Sequence, residues 1–411
     1  MSNTRHNNRG PIAVVEKICV IGASLAGLRS AEALRREGFA GALTIIGAEE
    51  HLPYDRPPLS KEFLSGEFGE DRLPLRSAPY EELGVELLLG TRAQSLDIGS
   101  RRITLSSGQK VDYDGLVIAT GATPRMLPIA KGLPGVMTLR TIDDAVRLKA
   151  ALDARKRLCV IGAGFIGSEV AATARGLGLN VTVLEAAEQP MLRGVGLLIG
   201  ETLAKLHRDN GVDLRTGVTI ESIEQIGEVV RVNLADDESV ECDLVLLAVG
   251  AAPATEWLEG SGLTLDDGVV CDSTLLAAPG IVCAGDVARW PNTLFGGESM
   301  RVEHWTNAVE QGMHCAKRLL VADSEASEFL TVPFVWSDQY GIKIQAAGRF
   351  SGEDRMEMVH GSLDEPRFVA VFERKGKVSG VIGFSEPRRV MQYRRLIAAG
   401  TAFDEAVAAS S

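Results

Sequence analysis

Two glycine-rich turns carry residues that could hold the diphosphate of a nucleotide. Each turn ends a short apolar run, KICVIGA (residues 17–23) or RLCVIGA (residues 157–163), and precedes a helical pattern. Glycine keeps such a turn tight and lets backbone N–H groups approach a pyrophosphate at the positive end of a helix. The second turn has the full G-x-G-x-x-G pattern, whereas the first has serine at its middle position, where a hydroxyl could donate to phosphate. The motif residues are Gly22, Ser24, Gly27 and Gly162, Gly164, Gly167.

An acidic residue at the end of the following apolar run would complete each site. Glu185 closes VTVLE, 23 residues after Gly162, where a carboxylate can hold the ribose hydroxyl of NAD. In the first copy Glu49 or Glu50 follows LTIIGA at a similar spacing. Two such sites predict two dinucleotides, and FAD with a nicotinamide cofactor is the pair that exchanges hydride directly.

The elements that must position these residues are two βαβ units. A strand, a glycine turn, a helix and a second strand occur twice, which is the pattern of a dinucleotide-binding domain. Residues 116–121 and 244–250 are apolar runs that end in glycine, and each is expected to close one unit. Residues 280–287 (GIVCAGDV) predict a buried strand that delivers Asp286, whose carboxylate could accept hydrogen bonds from flavin ribityl hydroxyls.

Composition narrows the class of protein. The net charge of −12 argues against nonspecific binding to nucleic acid or to anionic membranes, and no apolar run is long enough to predict a membrane span. The N-terminal segment is polar and lacks a secretion signal, so we expect residues 1–16 to be a disordered extension of a cytoplasmic protein. Six cysteines without a C-x-x-C pair predict buried reduced thiols, no dithiol chemistry and no metal site.

Seven longer segments extend these motifs over nearly the whole chain. They are GASLAG (22–27), YDRPPLSKEFL (54–64), LVIATGATPR (116–125), VIGAGFIGSEVAA (160–172), AGDVAR (284–289), VEHWTNAVEQG (302–312) and PFVWSDQYGIKIQAAG (333–348). Together they resemble the NADH-dependent ferredoxin reductases of bacterial oxygenase systems. YDRPPLSK and WSDQY are the most specific, since they separate this family from the disulfide reductases.

The resemblance implies an α/β fold of the glutathione-reductase type. Two Rossmann-like domains are expected, an FAD domain at residues 17–122 and 250–325 and an NAD domain inserted into it at residues 123–249. A C-terminal α+β domain would follow at residues 326–411. The order of the motifs agrees with this nesting, because the second βαβ unit begins only after the first has reached its closing run.

The resemblance also implies where the chemistry takes place. Lys61 follows a stiff pair of prolines and is expected beside N5 of the flavin, paired with Glu169 from the helix of the second turn. Its cation would stabilise the anionic reduced ring. Trp305 is expected against the isoalloxazine where electrons leave, with Trp336 and Gln339 approaching from the C-terminal domain. Lys61, Glu169 and Trp305 are therefore the predicted catalytic residues.

The remaining cofactor contacts follow from the same resemblance, residue by residue. The expected FAD contacts are Gly22, Ser24, Leu25, Ala26, Gly27, Glu49, Glu50, Arg56, Pro57, Lys61, Ala119, Thr120, Gly121, Arg125, Gly285, Asp286, His304, Trp305 and Trp336. The expected contacts around NAD are Gly162, Gly164, Phe165, Ile166, Gly167, Glu169, Glu185, Arg193 and Gly250. The sequence departs from the family at Ser24, at Ala48, where many relatives have an acid, and at Tyr340-Gly341, which could alter the flavin edge or the docking face.

The predicted function is transfer of hydride from NADH to FAD and of single electrons to a [2Fe–2S] ferredoxin that serves a cytochrome P450 or a Rieske-type oxygenase. The alternatives are a rubredoxin reductase, an NADH oxidase-like flavoprotein, whose redox cysteine is absent here, and an interaction flavoprotein of the apoptosis-inducing type. We expect a monomer or weak homodimer. Since such ferredoxins are acidic, docking would use a basic patch, with candidates Arg72, Arg76, Arg289, Arg301, Arg388, Arg389, Arg394 and Arg395.

Overall fold

The computed structural model describes residues 15–408, apart from the side chains of residues 192–194. The expectation of a disordered extension therefore falls mostly outside the described residues. The first βαβ unit forms as predicted, with buried β-branched residues in the strands and glycine at the turn. The elements of this first segment are β1 (Lys17–Ile21), α1 (Leu25–Arg36), β2 (Ala42–Ile46), β3 (Glu86–Leu88), β4 (Ala93–Asp97), β5 (Arg102–Leu105), β6 (Lys110–Asp112), β7 (Gly115–Ile118) and β8 (Ala122–Pro124).

The second segment repeats this plan around a parallel sheet. Its elements are β9 (Val136–Met137), α2 (Ile142–Ala154), β10 (Arg157–Ile161), α3 (Phe165–Gly176), β11 (Asn180–Glu185), α4 (Leu192–Asp209), β12 (Asp213–Thr216), β13 (Ile220–Ile226), β14 (Val229–Leu234), β15 (Ser239–Cys242) and β16 (Leu244–Leu247). The parallel sheet has the order β12-β11-β10-β16-β9, and β13, β14 and β15 form a separate antiparallel sheet. Strands buried on both faces explain the continuous apolar runs in the sequence.

The chain then returns to the first sheet. The elements of this third segment are β17 (Ala251–Pro253), β18 (Val269–Val270), β19 (Leu276–Ala278), β20 (Ile281–Cys283), β21 (Ala288–Asn292), β22 (Glu298–Arg301) and α5 (Trp305–Leu320). The first sheet has the order β19-β20-β7-β1-β2-β3, so that strands separated by the whole second segment lie side by side. Two antiparallel strands, β8 and β17, mark the exit from the first unit and the return to it. The structure thus shows the nested arrangement, while the exact domain boundaries stay a prediction.

The last segment forms an antiparallel sheet covered by helices. Its elements are β23 (Phe334–Gln339), β24 (Ile342–Gly348), β25 (Arg355–His360), β26 (Phe368–Arg374), β27 (Lys377–Phe384), α6 (Pro387–Ala398) and α7 (Phe403–Ala408), with the sheet order β23-β24-β27-β26-β25. On one face of this sheet α6 and α7 pack through Val390, Ile397 and Phe403. On the other face α4 of the second segment packs through Val195, Ile199 and Leu203. The C-terminal sheet is therefore fastened to the nucleotide-binding part by a shared apolar core.

Candidate functional site

The two glycine turns have the same geometry and require glycine for packing. Gly22 has φ +121°, and a Cβ atom there would lie 2.0 Å from the carbonyl oxygen of Ala119. Gly162 has φ +100°, and its Cβ atom would lie 2.5 Å from the carbonyl oxygen of Ala248. A side chain is excluded at both positions because each turn passes directly over the end of the neighbouring closing strand.

The middle position of the second turn differs, because nothing in the protein excludes a side chain there. No described atom lies within 4 Å of a Cβ atom built on Gly164, whose φ is −78°. The helix that starts at Phe165 has no side-chain cap, and the same holds for the helix that starts at Leu25. Uncapped N–H groups beside open space are what a phosphate needs. The turn therefore fits a dinucleotide that passes close to the backbone.

Glu185 lies at the second turn, as the spacing predicted. One of its carboxylate oxygens accepts a hydrogen bond from the backbone N–H of Ala163 (2.6 Å), and the other accepts one from the N–H of Ala187 (2.8 Å). The two bonds fix the carboxylate at the carboxyl end of β11, next to the turn. An anion held there can accept hydrogen bonds from ribose hydroxyls and repels a phosphate in the same place.

At the first turn the structure separates the two acidic candidates. Glu49 pairs with the guanidinium of Arg56 (2.6 Å) and accepts a hydrogen bond from the hydroxyl of Tyr54. The Nε–H of Arg56 also donates to the hydroxyl of Ser24 (3.3 Å), so that the serine of the turn belongs to the same cluster. Glu50 is exposed and has no ion pair among residues 15–408. The structure therefore connects Glu49, and not Glu50, to the first turn.

A second polar chain leads from this cluster to Asp286. Arg56 donates to the carbonyl oxygen of Arg140 (2.6 Å), and the guanidinium of Arg140 pairs with the carboxylate of Asp286 (2.7 Å). The hydroxyl of Tyr54 accepts the backbone N–H of Ile142 (2.9 Å). Sequence reasoning missed both Arg140 and Tyr54. Tyr54 is the first residue of YDRPPLSK, so a sequence motif pointed to it. Arg140 lies in a loop outside any motif, so nothing in the sequence marked it.

The loop that carries Asp286 leaves buried polar atoms without partners. The N–H of Gly285 donates to the side-chain oxygen of Gln311 (2.8 Å), while the amide nitrogen of Gln311 has no hydrogen-bond partner among the described residues. The Nδ1 atom of His304 is equally unpartnered, and burial lowers the pKa of this imidazole to about 4. Buried polar groups are rarely left unsatisfied, so these atoms fit a polar cofactor beside Asp286.

Lys61 and Glu169 form a buried ion pair between the two βαβ units. The Nζ atom of Lys61 lies 3.0 Å from Oε2 of Glu169, and the two side chains are 11% and 4% exposed. The same carboxylate accepts the hydroxyl of Ser60 (2.5 Å) and that of Ser337 (2.8 Å). A charge this deeply buried persists only with partners that satisfy it. The structure thus brings the predicted pair together.

Trp305 lies on the other side of the lysine. Its indole N–H donates to the carboxylate of Asp55 (2.7 Å), and its ring meets that of Trp336 edge-on with centroids 6.0 Å apart. Burial raises the pKa of Asp55, against the opposing effects of the Trp305 hydrogen bond and the charge of Lys61. Phe334 stacks on Trp336 at 6.2 Å. The predicted tryptophans therefore form one aromatic group beside the ion pair.

The other predicted residues fall into four groups. Those in the turns and closing loops lie with the clusters above: Leu25, Ala26, Gly27, Pro57, Ala119, Thr120, Gly121, Phe165, Ile166, Gly167 and Gly250. Arg125 is exposed and donates to the carbonyl oxygen of Ala251 (3.1 Å). The side chain of Arg193 lies outside the described residues. Gln339 donates to Ser337 (3.1 Å), so its one hydrogen-bond partner among the described residues is a serine of its own strand.

Tyr340, which the sequence predicted could alter the flavin edge or the docking face, contacts a helix of the second βαβ unit. With φ +52° it occupies the turn between β23 and β24, and its hydroxyl lies 2.8 Å from Nδ1 of His207 on α4. The ring of Tyr340 meets the imidazole edge-on at 5.4 Å. The departure from the family pattern therefore forms a contact between the C-terminal sheet and the second βαβ unit.

The cysteines, possible metal ligands and long helices of residues 15–408 bear on whether these residues form a redox, metal or membrane site. All six cysteines lie within residues 15–408, and each is a buried free thiol. No cluster of His, Cys, Asp and Glu side chains in that range could hold a metal ion. Over the same range, no helix combines the length and the apolar character that crossing a bilayer demands.

Most of the predicted basic patch is already neutralised. Five of its arginines pair with a carboxylate: Arg76 with Glu32, Arg289 with Asp266, Arg301 with Asp267, Arg389 with Glu386 and Arg394 with Glu310. Arg72 lies 3.7 Å from the ring centroid of Phe68. Arg388 and Arg395 are exposed, and among the described residues neither has an ion pair. They are seven residues apart on α6, which places them on one face of that helix.

The nested fold, two nucleotide turns and a lysine–glutamate pair without a redox cysteine define a class of flavin and nicotinamide oxidoreductase. Residues 16–312 match the family model of the pyridine nucleotide-disulphide oxidoreductases, and residues 334–411 match a model described as "Reductase C-terminal". The chain belongs to the pyridine nucleotide-disulphide oxidoreductase family.

Individual relatives within this family are ferredoxin–NAD(+) reductase components of oxygenase systems. The chain is 37% identical to the ferredoxin–NAD(+) reductase subunit of the benzene 1,2-dioxygenase system of Pseudomonas putida, over 93% of this chain and 92% of the relative. It is 40% identical to the ferredoxin–NAD(+) reductase component of the p-cumate 2,3-dioxygenase system of the same species, over 81% of each. The crystal structure of a covalent putidaredoxin reductase–putidaredoxin complex matches with a TM-score of 0.89 and 33% identity, covering 94% of this chain and 93% of that one. These findings confirm the predicted family, the glutathione-reductase-like fold and an oxidoreductase that uses FAD and NAD(H).

Proposed function

We propose that this protein takes hydride from NADH onto FAD and passes single electrons to a [2Fe–2S] ferredoxin that serves a cytochrome P450 or a Rieske-type oxygenase. The observation that carries the proposal is the buried Lys61–Glu169 pair, which joins the two nucleotide-binding units at 3.0 Å with no cysteine in the neighbouring YDRPPLSK segment. The named relatives support the same function. A disulfide reductase would need a thiol pair at this place, and the described thiols are all buried elsewhere.

The second turn is the proposed NADH site. Gly164 leaves room for the pyrophosphate, Gly162 and Gly167 keep the turn tight, and Glu185 would accept hydrogen bonds from the adenosine ribose. Phe165 and Ile166 begin the helix whose N-terminus faces the phosphates. Since no arginine follows Glu185 directly, we infer a preference for NADH over NADPH.

The first turn and the Asp286 loop form the proposed FAD site. Bound FAD would supply the two-electron acceptor that releases electrons singly. Ser24 and Arg56 would hold the pyrophosphate, Glu49 the adenosine ribose, and Asp286 the ribityl chain. The pairing of Arg140 with Asp286 adds Arg140 to the residues expected at this cofactor.

Lys61, Glu169 and Trp305 are the proposed catalytic residues. Lys61 would present a cation to the flavin ring and offset the negative charge that reduction adds. Glu169 holds this cation in place from the NADH side. Trp305, anchored by Asp55 and flanked by Trp336, would line the face through which electrons leave.

The cellular compartment, oligomeric state and docking surface are proposed from the chemistry of the exposed and buried side chains. Six free thiols suit a reducing compartment, which favours the cytoplasm. We propose a monomer or weak homodimer that meets its ferredoxin transiently. Arg72, Arg388 and Arg395 are the arginines of the predicted patch without an ion pair among the described residues, and we propose the exposed pair on α6, Arg388 and Arg395, as the surface for an acidic partner.

Anaerobic reduction of the purified holoenzyme tests the proposal. NADH should bleach the flavin absorbance, and a [2Fe–2S] ferredoxin should then carry electrons to cytochrome c. Lys61→Met should lower the flavin midpoint potential by about 20–90 mV, the equivalent of ~1–4 kcal/mol of lost charge stabilisation. Lys205→Met is the matched control, because Lys205 is exposed on α4 and its one ion pair among the described residues is with Asp209.

Three results would contradict parts of this scheme. A protein that cannot be loaded with FAD or reduced by NADH would overturn it as a whole. An unchanged potential in Lys61→Met with full FAD content would place the lysine away from the ring. Faster reduction of rubredoxin than of any ferredoxin in a panel would contradict the proposed acceptor and leave the transfer from NADH to FAD in place.

A further inference from the structure

The two faces of strand β23 contact different parts of the candidate site. Side chains alternate between the faces of a strand, so Phe334 and Trp336 share one face while Ser337 and Gln339 share the other. Phe334 and Trp336 stack on each other and lead to Trp305. Ser337 and Gln339 are 0% and 1% exposed, and Ser337 reaches Glu169. One strand of the C-terminal sheet therefore touches both the aromatic group and the ion pair.

The two oxygens of Glu169 have different partners. Oε2 accepts from Ser60 and Lys61, whereas the partner of Oε1 among the described residues is the hydroxyl of Ser337 at 2.8 Å. Loss of that hydroxyl would leave a buried carboxylate oxygen unsatisfied. Unsatisfied charged oxygens are costly, and the carboxylate would relieve the cost through a stronger interaction with Lys61.

The orientation of the Ser337 hydroxyl is determined by its neighbours. An ionised carboxylate only accepts hydrogen bonds, so the hydroxyl of Ser337 must donate its single hydrogen to Glu169. The serine oxygen can then only accept at its second contact, which is the amide of Gln339 at 3.1 Å. Gln339 must therefore present its NH₂ group to Ser337. The direction of donation runs from Gln339 through Ser337 to Glu169.

We propose that Ser337, oriented by Gln339, is a positioning residue through which the C-terminal domain holds the Lys61–Glu169 pair and tunes the charge beside the flavin. This inference rests on the proposed function, in which that pair stabilises the reduced flavin. A donor on Oε1 draws negative charge away from the side of the carboxylate that faces Lys61. Without it, Glu169 neutralises the lysine more completely and leaves less positive charge for the flavin.

Ser337→Ala tests this role in the FAD-loaded protein with NADH as the probe. We expect the first-order rate of flavin reduction to fall about threefold to tenfold. This is less than the free energy of a whole charge-assisted hydrogen bond would give, because only part of the effect on Glu169 reaches the flavin. The midpoint potential should fall as well, and a tenfold change in the equilibrium of this two-electron couple corresponds to about 30 mV. A purely structural serine would alter melting temperature without moving the potential.

Two further variants make the result specific. Ser379→Ala is the matched control, because Ser379 is also buried in the C-terminal sheet and donates to a carbonyl oxygen, that of Phe372 at 3.2 Å. It should leave rate and potential unchanged. Gln339→Leu should lower both by a smaller factor than Ser337→Ala, and should add nothing in the Ser337→Ala background, since Gln339 acts through the serine.

The outcomes separate this inference from the proposed function. If NADH does not reduce the wild-type flavin, the proposed function fails. If the wild type is reduced and Ser337→Ala matches its rate and potential, only the positioning role fails. Equal shifts in Ser337→Ala and Ser379→Ala, or additive effects of the Ser337 and Gln339 changes, would also overturn it.

Discussion

Acid should weaken the contact between the C-terminal sheet and the second βαβ unit through His207. This imidazole is 1% exposed on α4, with Nδ1 2.8 Å from the hydroxyl of Tyr340, and burial lowers its pKa to about 4. In the unfolded chain the pKa of histidine is ~6.5. At any pH between these two pKa values, His207 is therefore protonated in the unfolded state and neutral in the folded state.

The sign and size of the effect follow from this difference. A group whose pKa is lowered by folding contributes stability above its unfolded pKa, and that stability is lost as the pH falls toward the folded pKa. Between about pH 7 and pH 5, one histidine with these two pKa values removes about 2 kcal/mol from the free energy of unfolding. This is a large share of the ~5–15 kcal/mol that typically stabilises a native protein.

Urea unfolding of the FAD-loaded protein at both pH values measures the loss, with flavin fluorescence as the signal. His207→Gln provides the comparison, because its amide is neutral at every pH and can still form a hydrogen bond with the hydroxyl of Tyr340. The variant should lose about 2 kcal/mol less than the wild type between pH 7 and pH 5, since other titrating groups contribute equally to both. Equal losses would show that His207 is not held neutral in the folded protein.

Three further predictions concern the cofactor and partner sites. Gly164→Ala should raise the KM for NADH about tenfold or more, equivalent to ~1.4 kcal/mol, while Gly176→Ala at the end of the same helix, which also has open space for a Cβ atom, should not. Glu185 should give NADH at least a roughly tenfold higher kcat/KM than NADPH, and equal values would refute its role. Reversing the charges of Arg388 and Arg395 to glutamate should slow ferredoxin reduction at ~0.05 M salt but not at ~0.5 M, where screening is strong. Reduction of ferricyanide, which needs no protein docking, serves as the reference for that variant.

The parts of the site that the sequence predicted are local in the chain. Gly162 and Glu185 lie within one βαβ unit, where 3.6- and 2-residue periodicities place them with few alternatives. The same reasoning found the turn of Gly22 and the loop of Asp286. It could not choose between Glu49 and Glu50, because consecutive residues after a strand point in different directions and the partner, Arg56, comes from another loop.

The parts that it missed depend on contacts between distant segments. Arg140 meets Asp286 across 146 residues, and Ser337 meets Glu169 across 168. Neither arginine nor serine has a local pattern that distinguishes these positions from solvated ones. The Lys61–Glu169 contact is equally distant, at 108 residues, and was predicted only because of the resemblance to a known family. Packing of three chain segments, and not periodicity, decides such contacts.

The position of Lys61 suggests why hydride entry and electron exit can share one ring. The charge of Lys61 acts on Glu169, which belongs to the helix of the second turn, and on Asp55, which accepts the indole N–H of Trp305. Burial raises the pKa of Asp55, so its charge is less stable than that of a solvent-exposed aspartate. If FAD binds as proposed, negative charge on the reduced ring would compete with Glu169 and Asp55 for the cation of Lys61. The hydrogen bonds from Ser60 and Ser337 weaken the attraction of Glu169 for Lys61, which would leave the cation more available to the reduced ring.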